Sequence, residues 1–275
     1  MIQYNKENIR IFQSSLYLTT SAVIELDEAI ILTDPNWLPH EVEEIKGYVN
    51  QIRKDKQLYI IYTHSDFDHV IGSGAFPDAR VVASRKLSEN VHKEDIMKKV
   101  KLFDQKYYLE RNYEPKYPTV DYIVSEDGQQ LLIGSSTITF YLAPGHTDDG
   151  LFTVIEPLGV FLTGDYLSDV EFPFIYSGYF DYVQTMEKAK NIFSKHAISV
   201  HVPGHGHTTE SVVEMQNRLT FSREYLDQLL DEQANLEEIL TEKYRFFEGM
   251  KDIHQNNKEL ARKEQSRKIA LEANG

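Results

Sequence analysis

One stretch of the chain decides the fold class that the sequence predicts: Thr63-His64-Ser65-Asp66-Phe67-Asp68-His69. It places four side chains of metal-binding type within six residues, directly after the apolar run from Leu58 to Thr63, which has the pattern of a strand. Side chains in a loop that leaves a strand can converge on one point, and imidazole together with carboxylate suits zinc, iron or manganese. Helix capping by Asp and Ser, or a surface His, would explain one or two of these residues but not all four. The stretch therefore predicts a metal site.

Three more candidate ligands lie beside glycine at the ends of predicted strands: His146, Asp165 and His205. Glycine next to a ligand permits close approach of the backbone. Each pair alone is common in turns, but the three in this order after the first cluster predict one shared site. His207 lies two residues beyond His205 and could compete for the metal, but the Pro-Gly pair before His205 favours His205 as the ligand.

The surrounding pattern is that of an α/β protein. Apolar residues at 42, 45, 49 and 52 have the spacing of an amphipathic helix, and predicted strands precede and follow it. Strand patterns return between residues 130 and 162, and helix-forming residues dominate from Glu210 onward. A tyrosine-rich stretch from Phe103 to Tyr122 is either a loop anchored by its rings or a cap over a pocket.

These motifs resemble the signature of the metallo-β-lactamase-fold superfamily. That signature is an Asp after an early strand, a His-x-His-x-Asp-His loop, a single His, a bridging Asp and a final His. The corresponding residues here are Asp34, the loop from His64 to His69, His146, Asp165 and His205. The resemblance implies an α/β fold, a four-layer αβ/βα sandwich, with a dinuclear metal site at one edge of its two sheets.

The resemblance also implies how two divalent metal ions would be shared among the ligands. His64, Asp66 and His146 would hold the first metal, Asp68, His69 and His205 the second, and Asp165 would bridge them. Asp66 stands where most of the family has His. A carboxylate makes that site harder and more negative, so zinc remains the first expectation while iron or manganese becomes an alternative.

Two aspartates are the candidate catalytic residues, Asp34 and Asp68. Asp34 either caps the turn Asp34-Pro35-Asn36 or, as the resemblance implies, orients a ligand histidine from behind. Asp68 is placed by the resemblance on the second metal. Asp148, which follows His146, is either a plain loop residue or a contact to substrate.

The resemblance implies a hydrolase whose two metals activate a bridging hydroxide toward an ester, lactone, thioester or phosphodiester bond. The substrate would be small or amphiphilic. The aromatic residues from Phe172 to Tyr182 either line an apolar pocket, which would suit such a substrate, or pack a long loop onto the core. Two alternatives stay open: a di-iron redox protein related to flavodiiron cores, for which Asp66 is the reason, and a non-catalytic metal-binding sensor of the same fold.

Composition restricts the partners and the location. The 275 residues carry a net charge of −14 and no cysteine. An acidic chain lacks the clustered Lys and Arg that a nucleic-acid binder needs. No stretch approaches 18 consecutive apolar residues, so no membrane partner is expected, and no secretory leader is visible. The absence of cysteine fits a cytoplasmic protein.

The last segment, residues 251–275, is expected to be a charged helical tail outside a domain of residues 1–250. It carries six basic and four acidic side chains, a net charge of +2 against −16 for the rest of the chain. Its apolar residues are sparse, which predicts little burial and no role in the chemistry. His254 is accordingly expected at the surface. A basic tail on an acidic body could also dock on a second copy, which would make a homodimer.

Overall fold

The computed structural model describes residues 1–273 and contains two β-sheets. The first sheet has seven strands in sequential order, antiparallel from β1 to β4 and parallel from β4 to β7. Its strands are β1 (Ile2–Lys6), β2 (Ile9–Gln13), β3 (Thr20–Glu25), β4 (Ala29–Thr33), β5 (Gln57–Ile61), β6 (Arg80–Ser84) and β7 (Tyr122–Val124).

The second sheet has five strands in the order β12-β11-β10-β9-β8, antiparallel except for the parallel pair β11 and β12. Its strands are β8 (Gln129–Ile133), β9 (Ser136–Leu142), β10 (Leu151–Glu156), β11 (Val160–Leu162) and β12 (Val200–Val202).

Eight α-helices and two short 3-10 helices (Ser73–Ala75 and Phe247–Met250) are found in the described residues. The α-helices are α1 (Pro39–Arg53), α2 (Phe67–Val70), α3 (Arg85–Ser88), α4 (Lys93–Tyr107), α5 (Tyr179–Lys195), α6 (Val212–Gln228), α7 (Leu236–Lys243) and α8 (Lys251–Ala273). Among the helices of residues 1–273, none combines the length and apolar character that a bilayer crossing needs.

Strand alternation divides the buried side chains among three interior layers. In β4, Ile31 faces the second sheet, whereas Ile30 and Leu32 face the apolar side of α1. On the far side of the second sheet, Phe152 and Phe161 pack against a core to which α5, α6, α7 and α8 contribute. The order helix, sheet, sheet, helix confirms the predicted four-layer αβ/βα sandwich.

The C-terminal helix α8 contradicts the expectation that the tail contributes little burial. His254, Asn257 and Ala261 of α8 are all fully buried, so the surface position expected for His254 is wrong. These residues recur at spacings of three and four, which places them on one face of the helix. Since two of the three are polar, an apolar pattern could not reveal this face. Residues 274 and 275 lie outside the described part of the chain.

Candidate metal centre

Five loops at the carboxyl ends of strands bring the predicted ligands together. Asp34 follows β4, and the loop with His64 and Asp66 follows β5; Asp68 and His69 lie on the short helix α2 just beyond. From the second sheet, His146 follows β9, Asp165 follows β11 and His205 follows β12. The two sheets therefore deliver their candidate ligands to one shared edge.

The first group consists of His64, Asp66 and His146. The Nε2 atom of His146 lies 3.5 Å from Asp66 Oδ2, and Nε2 of His64 lies 3.8 Å from the same oxygen. Both imidazoles also face Asp165 Oδ2, at 3.2 Å from His146 and 3.6 Å from His64. One ligand atom from each member of the group lies within 4.8 Å of the others, a spacing that a single metal ion can fill.

The second group consists of Asp68, His69 and His205. Nε2 of His69 lies 3.4 Å from Asp68 Oδ2, and Nε2 of His205 lies 3.5 Å from that oxygen. Asp165 reaches this group too, with Oδ1 at 3.1 Å from His69 and Oδ2 at 3.2 Å from His205. Asp165 thus contacts both groups, as the bridging position requires.

Hydrogen bonds on the outer side of each ring leave the inner nitrogen free. Nδ1 of His146 donates to the Phe174 carbonyl at 2.9 Å, and Nδ1 of His205 donates to the Tyr17 carbonyl at 3.0 Å. A neutral imidazole that donates through Nδ1 presents a lone pair at Nε2, the form that binds a metal.

The inner atoms fit divalent cations. Nε2 of His64 and of His146 and Oδ1 of Asp165 are buried without a hydrogen-bond partner. Nε2 of His69 and of His205 face each other at 3.4 Å. Lone pairs and three aspartates aimed at one space need positive charge between them, which two divalent ions would supply.

Asp34 lies behind the candidate ligands and orients two of them, His69 directly and His64 through Thr63. Its Oδ2 accepts from His69 Nδ1 at 2.9 Å and from the Thr63 hydroxyl at 2.5 Å, and its Oδ1 accepts from the Thr63 amide at 2.9 Å. The single hydroxyl proton of Thr63 is donated to Asp34. The Thr63 oxygen therefore accepts a hydrogen bond from Nδ1 of His64 at 3.0 Å. Both carboxylate oxygens of Asp34 are engaged in these hydrogen bonds, which gives Asp34 a positioning role toward the candidate ligands.

Two glycines allow the ligand loops to approach each other. The Gly204 amide donates to the Gly164 carbonyl at 2.6 Å, which ties the Asp165 loop to the His205 loop. A Cβ atom at Gly204 would collide with the Asp165 carboxylate, and Gly164 has φ +53°. Both positions therefore require glycine.

Charges within the site shift the pKa values of its members. Burial lowers the pKa of His64 to about 4. Burial also acts against the charged forms of Asp66 and His205, but their partners outweigh it: contacts with His146 and His64 hold the pKa of Asp66 at about 2, and the carboxylates of Asp165 and Glu171 raise the pKa of His205 to about 10. The opposite shifts of the pKa of His64 and of His205 follow from burial in the first case and from the neighbouring carboxylates in the second.

Glu171 is a residue of this region that the sequence pattern did not identify. Its Oε1 lies 3.9 Å from His205 Nδ1, and it forms a further potential ligand group with Asp165 and His205. Burial raises the pKa of Glu171 to about 7. Glu171 lies on the loop after Asp165 at no recognisable motif spacing, so only the folded chain brings it to the site.

Two residues left open by the sequence lie away from the ligands. His207 is 55% exposed and its Nδ1 pairs with Asp169 Oδ2 at 2.8 Å, which supports His205 as the candidate ligand. Asp148 is 61% exposed and lies 3.5 Å from the Lys86 ammonium. Neither lines the cavity above the ligands.

That cavity has a volume of about 810 Å³, within the range of small-molecule sites. Its floor includes Asp66, Asp68, His146, Asp165 and His205. The remaining lining residues are Ser15, Tyr17, Leu18, Phe67, Lys99, Val170, Glu171, Phe174, Tyr176, Phe246, Gly249, Met250 and Ile253.

The two aromatic stretches of the sequence have different places around this cavity. Of the aromatic residues after Asp165, Phe174 and Tyr176 line the cavity, whereas Phe172 and Tyr182 are buried in the core. The tyrosine-rich stretch forms no part of the cavity wall. Tyr117 instead donates to the Leu87 carbonyl at 2.9 Å, as an anchored loop would.

We expect Asp34→Ala to weaken metal binding about 10- to 100-fold while the chain still folds, because it frees the rings of His69 and His64 to turn. Competition with a chelator of known affinity measures the change. Asp78→Ala, which removes a carboxylate that is 70% exposed, is the control. Equal metal affinity for both variants would contradict the positioning role of Asp34.

Comparison with known proteins agrees with this geometry. The sequence profile of the metallo-beta-lactamase superfamily matches residues 16–214, a span that includes all the candidate ligands. No curated protein matches the chain in sequence.

Three solved structures illustrate the structural similarity. A metallo-beta-lactamase from Pontibacter korlensis is 15% identical, with a TM-score of 0.59 over 82% of this chain and 98% of the other. A B3 metallo-beta-lactamase with an active-site glutamic acid is 19% identical, with a TM-score of 0.55 over 82% and 89%. The stereoselective inverting sec-alkylsulfatase Pisa1 from Pseudomonas sp. is 13% identical, with a TM-score of 0.67 over 87% of this chain but only 43% of the other. At these identities the likeness concerns the fold alone.

Proposed function

The chain belongs to the metallo-β-lactamase superfamily, and from this premise we propose that it is a metal-dependent hydrolase with a dinuclear site. Its substrate would be a small or amphiphilic molecule with an ester, lactone, thioester or phosphodiester bond. One observation carries the proposal: four imidazole nitrogens and three aspartates converge on one buried space at the floor of a ligand-sized cavity.

In this proposal each side chain has a stated role. His64, Asp66 and His146 would hold one metal ion, and Asp68, His69 and His205 would hold the other. Asp165 would contribute to both sites, and Asp34 would position the rings. Two bound divalent cations would supply a water of lowered pKa and stabilise negative charge on the substrate oxygen. Tyr176 and Glu171 line the cavity and carry exchangeable protons, so they are the candidates to protonate a leaving group.

The identity of the two metal ions depends on the carboxylate of Asp66. A carboxylate at this position favours iron or manganese over zinc more than imidazole does. A B3 metallo-beta-lactamase among the structural neighbours is described as having an active-site glutamic acid, so an acidic active-site residue has a precedent in this fold. Iron at both sites would support the second candidate function, a di-iron redox protein.

The experiment that tests this proposal compares the purified protein before and after removal of metal. We expect zinc or manganese by mass spectrometry, and hydrolysis of at least one member of a panel of esters, lactones, thioesters and phosphodiesters. Chelation should lower turnover by at least about 100-fold, since a metal contributes several kcal/mol to such a transition state. Restoring the metal should restore turnover. Undiminished turnover in the metal-free protein would contradict the proposal.

Partners and location complete the proposal. Small-molecule substrate is the partner that the cavity fits, while the acidic charge balance disfavours nucleic acid. The cysteine-free composition is compatible with a reducing, cytoplasmic location. A homodimer remains a proposal that light scattering would test.

A further inference from the structure

Most of the cavity wall above the candidate ligands is apolar. Aliphatic side chains come from Leu18 and Val170, and aromatic ones from Phe67, Phe174 and Tyr176. The polar members of the lining, apart from the candidate ligands and Glu171, are Ser15 and Lys99 together with the two tyrosine hydroxyls. The cavity therefore combines a charged floor with apolar walls. An apolar ligand that covers these walls would release their water to the solvent, which favours binding.

One part of this wall comes from the C-terminal segment. Phe246, Met250 and Ile253 line the cavity, and all three lie beyond residue 214, where the match to the superfamily ends. Phe246 is 53% exposed, so it lies at the rim, whereas Met250 is 9% exposed. These residues therefore lie outside the matched superfamily region.

Phe246, Met250 and Ile253 form what we call the C-terminal wall. Contacts with neighbouring residues fix this wall in place. Phe247, between Phe246 and Met250, is buried in the helical core. Immediately beyond Ile253, the imidazole of His254 lies 3.0 Å from the Tyr225 hydroxyl. The wall is therefore a shaped surface that a substrate meets already formed.

We propose that the C-terminal wall, formed by Phe246, Met250 and Ile253, selects the substrate. The preferred substrate is an ester or lactone whose acyl group has a flexible apolar chain. This inference rests on the proposed function, and it narrows the substrate to one class. The polar scissile group would lie at the charged floor and the chain along the C-terminal wall. Met250 adapts its shape easily, which suits a chain of variable conformation. In the reaction the oxygen of a water molecule bonds to the acyl carbon, the bond from that carbon to the leaving oxygen breaks, and the leaving oxygen takes a proton that the water gives up.

Binding of the product class tests this inference without requiring turnover. Saturated carboxylates from acetate to decanoate are titrated calorimetrically into the metal-loaded protein. We expect the affinity to rise about fourfold for each methylene, the equivalent of ~0.8 kcal/mol, until the chain fills the cavity. An affinity that does not depend on chain length would overturn the inference.

A pair of matched variants locates the effect at the C-terminal wall. Ile253→Ala should lower the octanoate-to-acetate affinity ratio by about tenfold, because it removes apolar surface that only the longer chain reaches. Ile239→Ala makes the same change on α7 at a residue that does not line the cavity, and it should leave the ratio unchanged. An equal loss for acetate and octanoate in Ile253→Ala would refute selection by this wall.

The two proposals fail in different ways. If carboxylates show the chain-length dependence but no ester is hydrolysed, the proposed reaction is wrong and the selecting wall stands. If 4-nitrophenyl esters are hydrolysed at rates that do not depend on acyl length and carboxylate affinities are also flat, the reaction stands and the inference about the wall is wrong.

Discussion

Replacing Asp165 by alanine is expected to reduce bound metal from the proposed two ions per chain to fewer than one and to lower turnover by at least about 10³-fold. Among the described residues, Asp165 is the one carboxylate that contacts all four candidate histidine ligands. Its oxygens lie 3.6, 3.1, 3.2 and 3.2 Å from the Nε2 atoms of His64, His69, His146 and His205. Its loss would open both coordination shells and remove several kcal/mol of transition-state stabilisation.

Metal content and turnover of Asp165→Ala are measured beside those of Asp148→Ala. The control makes the same aspartate-to-alanine change at Asp148, which is 61% exposed and does not line the cavity. Circular dichroism establishes that both variants fold. If Asp165→Ala retains two metals and full turnover, the bridging assignment fails. A large loss of turnover in Asp148→Ala would instead support the alternative that Asp148 contacts the substrate.

The candidate ligands could be predicted from sequence because their signal is local. Each is fixed by a strand end, a neighbouring glycine and its order along the chain, and these are features of a few adjacent residues. The placement of Asp165 and His205 at one edge of the sandwich came from the resemblance to the family signature, because strand ends alone do not fix the relative direction of two strands. The central strands β4 and β5 and the helix α1 were predictable for a similar reason, since β4 and β5 are short apolar runs and apolar side chains recur in α1 at helix spacing.

Glu171 and the C-terminal wall could not be predicted, because their roles come from tertiary contacts. Glu171 reaches the site through the path of a loop that has no regular secondary structure. The buried face of α8 is built from a histidine, an asparagine and an alanine, which an analysis of hydrophobic periodicity reads as a solvated helix. High charge on the other faces of α8 completed that misleading pattern.

The buried asparagine of α8, Asn257, connects the C-terminal helix to the candidate metal site. The Asn257 amide nitrogen donates to the Pro173 carbonyl at 2.6 Å and to the Tyr225 hydroxyl at 2.9 Å, and its oxygen accepts from the Ile175 amide at 3.0 Å. Between Pro173 and Ile175 lies Phe174, whose carbonyl accepts from Nδ1 of His146. One side chain of the supposed tail thus holds the loop that orients a candidate ligand.

We therefore expect Asn257→Ala to reduce the free energy of unfolding by about 3 kcal/mol, because it leaves buried hydrogen-bonding groups unpaired. Metal affinity should fall about 10- to 100-fold, since the loop that orients His146 loses its anchor. Asn256→Ala is the matched control: the same change at the preceding, exposed residue should stay within about 0.5 kcal/mol of the parent. Urea unfolding and chelator competition measure both effects. If the two variants unfold at the same urea concentration and bind metal equally, residues 251–273 are the dispensable tail that their composition implies. If Asn257→Ala alone loses stability and metal, the C-terminal helix is part of the structure that orients the ligands.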